Sequence, residues 1–123
     1  MVDKEFVIWL EDVFSIVPDT SARKMFGGVG LFRQGLMYAL ALSDGRIALK
    51  ADDQTSQTFI DENCEEWTHA RKDGNITRMG YWYMPERLTD EPEELLEWSM
   101  KAFEVALRAD QKKSPSKRKF KGQ

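Results

Sequence analysis

Two side chains of this sequence, Cys64 and His69, have the chemistry of a nucleophile and its base. They are the single cysteine and the single histidine among 123 residues. A catalytic thiol needs a base beside it, and a metal-binding histidine needs further ligands at suitable spacing, which His69 lacks. The residues therefore favour an inert, partly buried thiol and an ordinary surface or core imidazole. We expect no catalytic residue, no metal site and no cofactor.

A glycine cluster at Gly27, Gly28 and Gly30 invites comparison with phosphate-binding loops. The dinucleotide fingerprint G-x-G-x-x-G, started at Gly28, requires glycine where Arg33 stands. The triphosphate loop G-x-x-x-x-G-K, started at Gly30, requires lysine where Leu36 stands. Because glycines in strand patterns usually mark bulges or bends, we interpret the cluster as a bend at the start of a sheet.

Adjacent carboxylates occur at Asp52 and Asp53 and again at Glu65 and Glu66. Paired carboxylates can perform general acid–base catalysis when their environments differ. A chain with 21 acidic residues produces such neighbours by chance, so we interpret both pairs as mostly solvated charge.

The segment 112–123 differs in composition from the rest of the chain. It holds no acidic residue and six basic ones, Lys112, Lys113, Lys117, Arg118, Lys119 and Lys121. Residues 1–111 hold 21 acidic and 12 basic side chains, a formal charge of −9 against +6 for the tail. We expect a disordered basic tail whose cations could contact nucleic-acid phosphates. The alternative is a solubilising segment that folds back on the acidic body.

The densest strand pattern covers residues 23–50. Gln34-Gly35 and Asp44-Gly45 separate three apolar runs and have the chemistry of hairpin turns, which predicts a three-stranded antiparallel meander. In the run 36–42, even positions carry leucine and tyrosine, and odd positions carry methionine and alanine. Both faces of this strand are therefore apolar. We expect helices to cover one face and a second subunit of a homodimer to cover part of the other.

Two helices are predicted at the ends of the folded part. Asp3 is the expected N-cap of a first amphipathic helix that ends before Pro18. Asp90 is the expected N-cap of the last helix, with Pro92 in its first turn. Glu104 and Arg108 are expected to form an i,i+4 ion pair on that helix.

The remaining segments complete a single predicted domain, residues 1–111. Residues 53–63 have the composition of a short helix, and residues 67–71 and 76–83 flank a hairpin loop. The predicted fold class is α+β, an antiparallel sheet in the order α-β-β-β-α-β-β-α with helices packed on the sheet.

Several segments together resemble a known family. They are Met25-Phe26-Gly27-Gly28-Val29-Gly30-Leu31-Phe32, Gly35-Leu36-Met37-Tyr38-Ala39, Leu49-Lys50-Ala51-Asp52, Tyr81-Trp82 and Met84-Pro85-Glu86. With the acidic start of the last helix, they resemble the N-terminal domain of the TfoX/Sxy family. The family motif positions are Met25, Phe26, Gly27, Gly28, Gly30, Leu31, Phe32, Lys50, Asp52, Tyr81, Trp82 and Pro85.

The resemblance implies an α+β domain that often self-associates. The family is named for regulators of natural competence that assist a transcription factor at promoters. Those regulators carry a second, C-terminal domain, and we expect this chain to lack it.

Composition and the resemblance together define the functional hypotheses. No apolar run is long enough to span a bilayer, the N-terminus lacks the pattern of a secretory signal, and a single cysteine suits the cytoplasm. Our leading hypothesis is a non-enzymatic regulatory or adaptor module that contacts a protein partner, such as a transcription factor. The alternatives are a direct, non-specific nucleic-acid binder acting through the tail, and a small enzyme without a recognisable active site.

Overall fold

The computed structural model describes residues 3–25, 27–113, 115–117 and 119. The α-helices are α1 (Lys4–Val13), α2 (Ser56–Asp61) and α3 (Pro92–Gln111). The strands are β1 (Thr20–Met25), β2 (Gly28–Arg33), β3 (Leu36–Ala41), β4 (Ile47–Lys50), β5 (Glu66–Ala70) and β6 (Ile76–Tyr83). Short 3₁₀ turns lie at Phe14–Ile16, Glu86–Asp90 and Pro115–Lys117.

All six strands form one antiparallel sheet in the order β1-β2-β3-β4-β6-β5. The predicted α+β class with helices on an antiparallel sheet is confirmed. The predicted order lacked one strand, β1, which pairs with β2 from Thr20↔Arg33 to Met25↔Gly28. Because β1 is an edge strand with several exposed side chains, its sequence carries little of the apolar pattern that marks buried strands.

The three helices pack against one face of the sheet, which we call the helix face. Paired residues of an antiparallel ladder project to the same side, so the register assigns each side chain to a face. Helix-face residues of the four central strands form one core with residues of all three helices. The buried members include Leu10, Phe14, Val29, Leu31, Ala39, Ala41, Ile47, Leu49, Phe59, Leu95 and Phe103, with Trp82 packed against them.

A β-bulge in β3 changes the predicted alternation of that strand. Leu31 pairs with Ala39 and Phe32 pairs with Met37, so Tyr38 is an extra residue between two register positions. Tyr38 is fully buried, with its hydroxyl 2.9 Å from Thr20 Oγ1 and its ring edge-on to Phe14. The prediction that Tyr38 and Ala39 face opposite sides was therefore wrong, since the bulge turns both toward the helices.

The helix starts were predicted with mixed success. Asp3 is the N-cap of α1 and accepts a hydrogen bond from the backbone N–H of Phe6 at 2.9 Å, which confirms that prediction. Asp90 was the wrong N-cap for α3, because it belongs to the preceding 3₁₀ turn and Glu91 takes the cap position. Pro92 is the first residue of α3, which confirms its predicted place in the first turn. Among the described residues, no helix has the length and apolar character needed to cross a membrane.

Candidate functional site

The face of the sheet opposite to the helices gathers much of the family motif. We call it the outer face. Its central positions are Arg23, Met25, Gly28, Gly30, Phe32, Met37, Leu40, Ala48, Lys50, Trp67, Tyr81 and Tyr83. Apart from Arg23 and the two glycines, these are apolar, aromatic or lysine side chains that are buried or half-buried.

Gly30 lies at the centre of a sulfur-rich cluster on the outer face. A Cβ atom at this position would lie 2.7 Å from Met25 Sδ, 2.8 Å from Met37 Sδ and 2.9 Å from Phe32 Cε1. These distances are shorter than real Cβ contacts, so the two thioethers and the phenyl ring occupy the space that a side chain would need. Glycine at this position therefore allows two methionines, which are flexible and polarisable, to meet over β2.

Tyr81 lies across the outer face from β6 toward β3. Its hydroxyl donates a hydrogen bond to the Met37 carbonyl at 3.3 Å, and its ring meets the Trp67 ring edge-on with centroids 6.2 Å apart. Burial raises the pKa of the Tyr81 hydroxyl well above its ordinary value. Tyr81 therefore acts as a neutral hydrogen-bond donor that joins three strands.

Among the described residues, three cations lie over aromatic rings of the outer face. Arg23 Cζ is 4.4 Å from the Phe32 centroid, and Lys50 Nζ is 4.8 Å from the Tyr81 centroid. Arg46 Cζ is 3.9 Å from the Tyr83 centroid at the opposite end. Such pairs contribute about 0.5–1 kcal/mol each at exposed sites. They add cations to the outer face, of which Arg46 is also paired with Asp44 at 2.9 Å.

Lys50 is the most enclosed of these cations. Burial lowers the pKa of its ammonium, the charge of Lys113 lowers this pKa further, and the carboxylate of Asp52 offsets part of the shift. A Cβ atom at Gly80 would lie 3.3 Å from Lys50 Nζ, and Gly80 has a positive φ of 81°. Glycine at position 80 therefore adopts a backbone angle that other residues rarely adopt, and it leaves room for the ammonium group of Lys50.

A pocket of about 300 Å³ lies between the outer face and the end of α3. Its lining comprises Met25, Phe32, Gly35, Leu36, Met37, Lys50, Tyr81, Ala106, Ala109, Asp110, Lys113 and Lys119. Asp110 is almost completely buried and accepts the Lys119 backbone N–H at 2.9 and 3.1 Å. Its carboxylate also lies 3.6 Å from Lys113 Nζ. The carboxylate of Asp110 is therefore already engaged by the start of the basic tail.

Asp52 connects the motif to α3. Its carboxylate accepts hydrogen bonds from Arg108 Nη2 at 2.9 Å and Nε at 3.3 Å, and from the Gln54 backbone N–H at 3.0 Å. The interpretation of Asp52 as solvated charge was wrong, since its side chain is only 33% exposed. The prediction of Glu104 as the partner of Arg108 was also wrong, because Arg108 reaches Asp52 instead.

The other adjacent acids differ among themselves. Glu66 is also more enclosed than predicted, since it is 18% exposed and its carboxylate lies 2.6 Å from Arg78 Nε. Asp53 and Glu65 are exposed, as expected for solvated charge. In each pair the more enclosed carboxylate is held by an arginine, Asp52 by Arg108 and Glu66 by Arg78, so both enclosed carboxylates serve as ion-pair partners.

The motif residues divide among the outer face, the core and the loops. Met25, Gly28, Gly30, Phe32, Lys50 and Tyr81 lie on the outer face, and Leu31 and Trp82 on the helix face. Gly27 has a positive φ of 77° in the β1–β2 turn, and Pro85 precedes the 3₁₀ turn after β6. Phe26 lies outside the described residues.

Cys64 and His69 occupy unrelated environments. Cys64 is half-buried after α2, and within the described part of the chain the one hydrogen-bond contact of its side chain is a long one of 3.9 Å from Sγ to the Glu62 carbonyl. Burial and the charge of Glu62 raise the pKa of the thiol. His69 is exposed on the edge strand β5. Within the described ranges, no three His, Cys, Asp or Glu side chains are grouped as metal ligands.

The tail cations are only partly described. Lys112, Lys113, Lys117 and Lys119 are exposed, whereas Arg118 and Lys121 lie outside the described residues. The disorder of residues 112–123 and their contact with nucleic acid stay predictions.

Comparison with known proteins gives the family. The family model described as the TfoX N-terminal domain matches residues 12–106. That range includes every strand given above and all of the pocket lining except Ala109, Asp110, Lys113 and Lys119. This chain belongs to the TfoX N-terminal domain family. The family resemblance expected from the motif is therefore confirmed.

A curated relative of this TfoX-family chain is the DNA transformation protein TfoX1 of Aliivibrio fischeri (strain ATCC 700601 / ES114). The two are 32% identical over 100 residues, which cover 80% of this chain and 47% of the relative. The chain thus spans about half the length of the curated relative that it matches.

Sequence reasoning missed six of the twelve outer-face positions: Arg23, Met37, Leu40, Ala48, Trp67 and Tyr83. The signal for some of them was the two-residue period of the strands that carry the motif. Arg23 is two residues from Met25, and Tyr83 is two residues from Tyr81, so each lies on the same face as a motif residue. For Met37 that signal was misleading, since the bulge at Tyr38 shifts the period of β3.

Proposed function

We propose that this TfoX-family domain is a non-enzymatic regulatory module that binds a protein partner through the outer face of its sheet. The observation that carries the proposal is the gathering of six motif positions on the face that the helices do not use. A motif that served the core alone would occupy the helix face, as Leu31 and Trp82 do. The outer-face positions need a different reason for their residue types.

The chemistry of the outer face suits a protein contact. Phenylalanine, tyrosine, tryptophan, methionine and arginine are enriched at protein interfaces relative to other surfaces. Phe32, Tyr83 and Trp67 are half-buried within the isolated chain, so a partner could still remove apolar area from water. Arg23 and Arg46 stand over two of these rings and supply charged groups at the margin.

The name of the relative suggests the process in which the partner acts. That protein is a DNA transformation protein, and we extend a competence-related regulatory role to this chain as part of the proposal. A transcription factor is the partner that such a role requires. The match covers 47% of the relative, so the proposal concerns the role of the matched domain and not the activity of the whole relative.

The test replaces one outer-face aromatic in cells. A strain that lacks the chain is complemented with wild type or with Phe32→Ala, and transcripts are compared by RNA sequencing. Phe32→Ala should fold but lose the regulatory effect, because it removes a half-buried ring beside Arg23. Ile8→Ala on α1 is the matched control, since Ile8 is 56% exposed and lies on the helix side.

A photo-crosslinking amino acid then identifies the type of partner. Placed at position 32, it should give a protein adduct that is absent when it is placed at Ile8. Folded Phe32→Ala protein that regulates like wild type, or an adduct only with nucleic acid, would exclude the proposed contact.

A second candidate function is non-specific nucleic-acid binding through the basic tail. The observation that favours it is the exposure of Lys112, Lys117 and Lys119, which leaves these cations accessible to phosphates. The body of the chain at −9 would oppose such binding.

A further inference from the structure

The pocket at the end of α3 offers a different kind of binding site from the flat part of the outer face. Three of its walls are apolar: Met25 and Phe32 from the first two strands, Met37 from β3, and the short side chains of Ala106 and Ala109 from α3. Its volume of about 300 Å³ is at the lower end of the range for small-molecule sites. The pocket is therefore large enough for a small ligand and too small for a folded segment.

Lys50 provides one charged group for this pocket. Its ammonium lies over the Tyr81 ring, and it forms no ion pair with any described residue. The neighbouring carboxylates are already used, since Asp52 holds Arg108 and Asp110 holds the Lys119 N–H and Lys113. A partly enclosed cation without a counterion is costly unless an anion joins it.

The residue types around Lys50 maintain this arrangement. Gly80 leaves the space in which Nζ lies, and Gly30 leaves the space in which the sulfurs of Met25 and Met37 meet. Methionine side chains adapt to ligands of different shapes, because they are unbranched and polarisable. The pocket thus joins one fixed charge to adaptable apolar walls.

We propose that this pocket binds a small organic acid, with its carboxylate against Lys50 and its apolar body between the methionines and α3. Lys50 is the partly enclosed ammonium of this lining, since Lys113 and Lys119 are exposed, and one enclosed ammonium matches a single carboxylate. A phosphate dianion would require several donors, and Lys113 is already held by Asp110. A neutral apolar ligand would leave Lys50 buried without a counterion. The inference does not depend on the proposed protein contact, because it concerns the isolated chain.

The experiment compares two probes of the same chain length, one negatively charged and one neutral. Octanoate and octanamide are titrated into the purified full chain below the concentration at which octanoate forms micelles, and methionine methyl groups are followed by NMR. Octanoate should bind at least about tenfold more tightly than octanamide, since it alone pairs a negative charge with the Lys50 ammonium. The methyl signals of Met25 and Met37 should shift, and those of Met84 and Met100 should not.

Variants of the cation sharpen the test. Lys50→Met should weaken octanoate binding by about tenfold or more, Lys50→Arg should retain it, and Lys72→Met in the β5–β6 loop should leave it unchanged. Equal affinities for octanoate and octanamide, or binding without shifts at Met25 and Met37, would overturn the proposal. Those two comparisons use the wild-type chain, so they decide the matter even when Lys50→Met fails to fold.

Discussion

Arg108 reaches from α3 to the loop after β4 and holds Asp52 through two hydrogen bonds, of 2.9 Å from Nη2 and 3.3 Å from Nε. The two residues are 56 positions apart in the chain. Burial acts to raise the pKa of Asp52, but Arg108 and the backbone N–H of Gln54 outweigh it and hold the pKa below its ordinary value of 3.8. The pair therefore fixes the second half of α3 over the end of β4, where Lys50 lies.

The first prediction concerns the stability that this pair contributes. Asp52→Asn should lower the free energy of unfolding at pH 7 by about 1 kcal/mol, because it removes a half-exposed ion pair but keeps an acceptor for the Gln54 N–H. The folded protein lowers the pKa of Asp52, so this contribution is complete above the unfolded pKa and is lost as pH falls through the folded pKa. Urea unfolding of both proteins between pH 7 and pH 2 measures the difference.

The matched control for that series is Asp53→Asn, which changes an exposed neighbour without an ion-pair partner among the described residues. It should be nearly neutral at every pH. A stability difference for Asp52→Asn that stays constant down to pH 2 would show that the ionised carboxylate is not the cause.

The second prediction concerns Gly28 in the family motif. A Cβ atom there would clash with the Ala41 carbonyl oxygen, which belongs to the backbone of the adjacent strand and cannot move aside. Gly28→Val should destabilise the domain by about 3 kcal/mol or more, and Gly28→Ala should also be clearly destabilising. Thermal unfolding followed by circular dichroism measures the loss.

Gly27→Asn is the control for Gly28. Gly27 has a positive φ, which asparagine tolerates, and apart from its chain neighbours no atom of the described residues lies within 4 Å of its added Cβ. This variant should lose no more than about 1 kcal/mol. A melting temperature for Gly28→Val equal to that of wild type would mean that the close approach of the two strands is not required.

The fold was predictable where the signals were local. The turns at Gly35, Gly45 and Gly74 all have positive φ, and each joins the two strands that the sequence pattern predicted. The bulge at Tyr38 was not predictable, because the alternation of Leu36–Ala41 has no break. The register there depends on the burial of Tyr38, whose hydroxyl forms a hydrogen bond with the Thr20 hydroxyl, 18 positions away in the chain.

The candidate site was only partly predictable, because it too depends on contacts between residues that are far apart in the sequence. The motif identified six outer-face residues, but whether each belonged to the core or the surface depended on strand pairing. Arg108 illustrates the limit: the helical spacing to Glu104 is a local signal, and the contact with Asp52 is a tertiary one that no spacing reveals. Lys50 could be placed outward from alternation, but the pocket around it needed α3.

The third prediction concerns the two residues with catalytic chemistry. Cys64→Ser and His69→Gln should leave the regulatory effect in cells unchanged, because the thiol has a raised pKa and the imidazole is exposed on an edge strand. Cys64→Ser should cost at most about 1 kcal/mol of stability through its contact with the core. Loss of regulation by either variant, with folding intact, would indicate an enzymatic role.

The fourth prediction concerns self-association. Since both sides of the sheet are apolar, a second subunit should cover part of the outer face, and light scattering at micromolar concentration should give twice the 14.3 kDa of one chain. Phe32→Asp should shift the mass toward one chain, whereas Ile8→Asp on α1 should not. A wild-type mass of one chain throughout this range would count against a dimer.

The last prediction concerns the basic tail. Truncation after Gln111 is an ambiguous test, since it also removes the Lys119 N–H from buried Asp110 and so threatens the fold. A variant with all six tail cations changed to glutamine keeps that N–H and, besides the charge of the tail, removes only the contact between Lys113 and Asp110. If the tail binds DNA, affinity should fall with salt, with a slope of log affinity against log salt no steeper than about −5 for six contacts. Little sequence preference should accompany it, because no described element is assigned to base contacts.

Fluorescence anisotropy with labelled duplex at several salt concentrations compares wild type with the glutamine variant. Salt-resistant or sequence-selective binding that persists in the glutamine variant would move the DNA site from the tail into the folded domain.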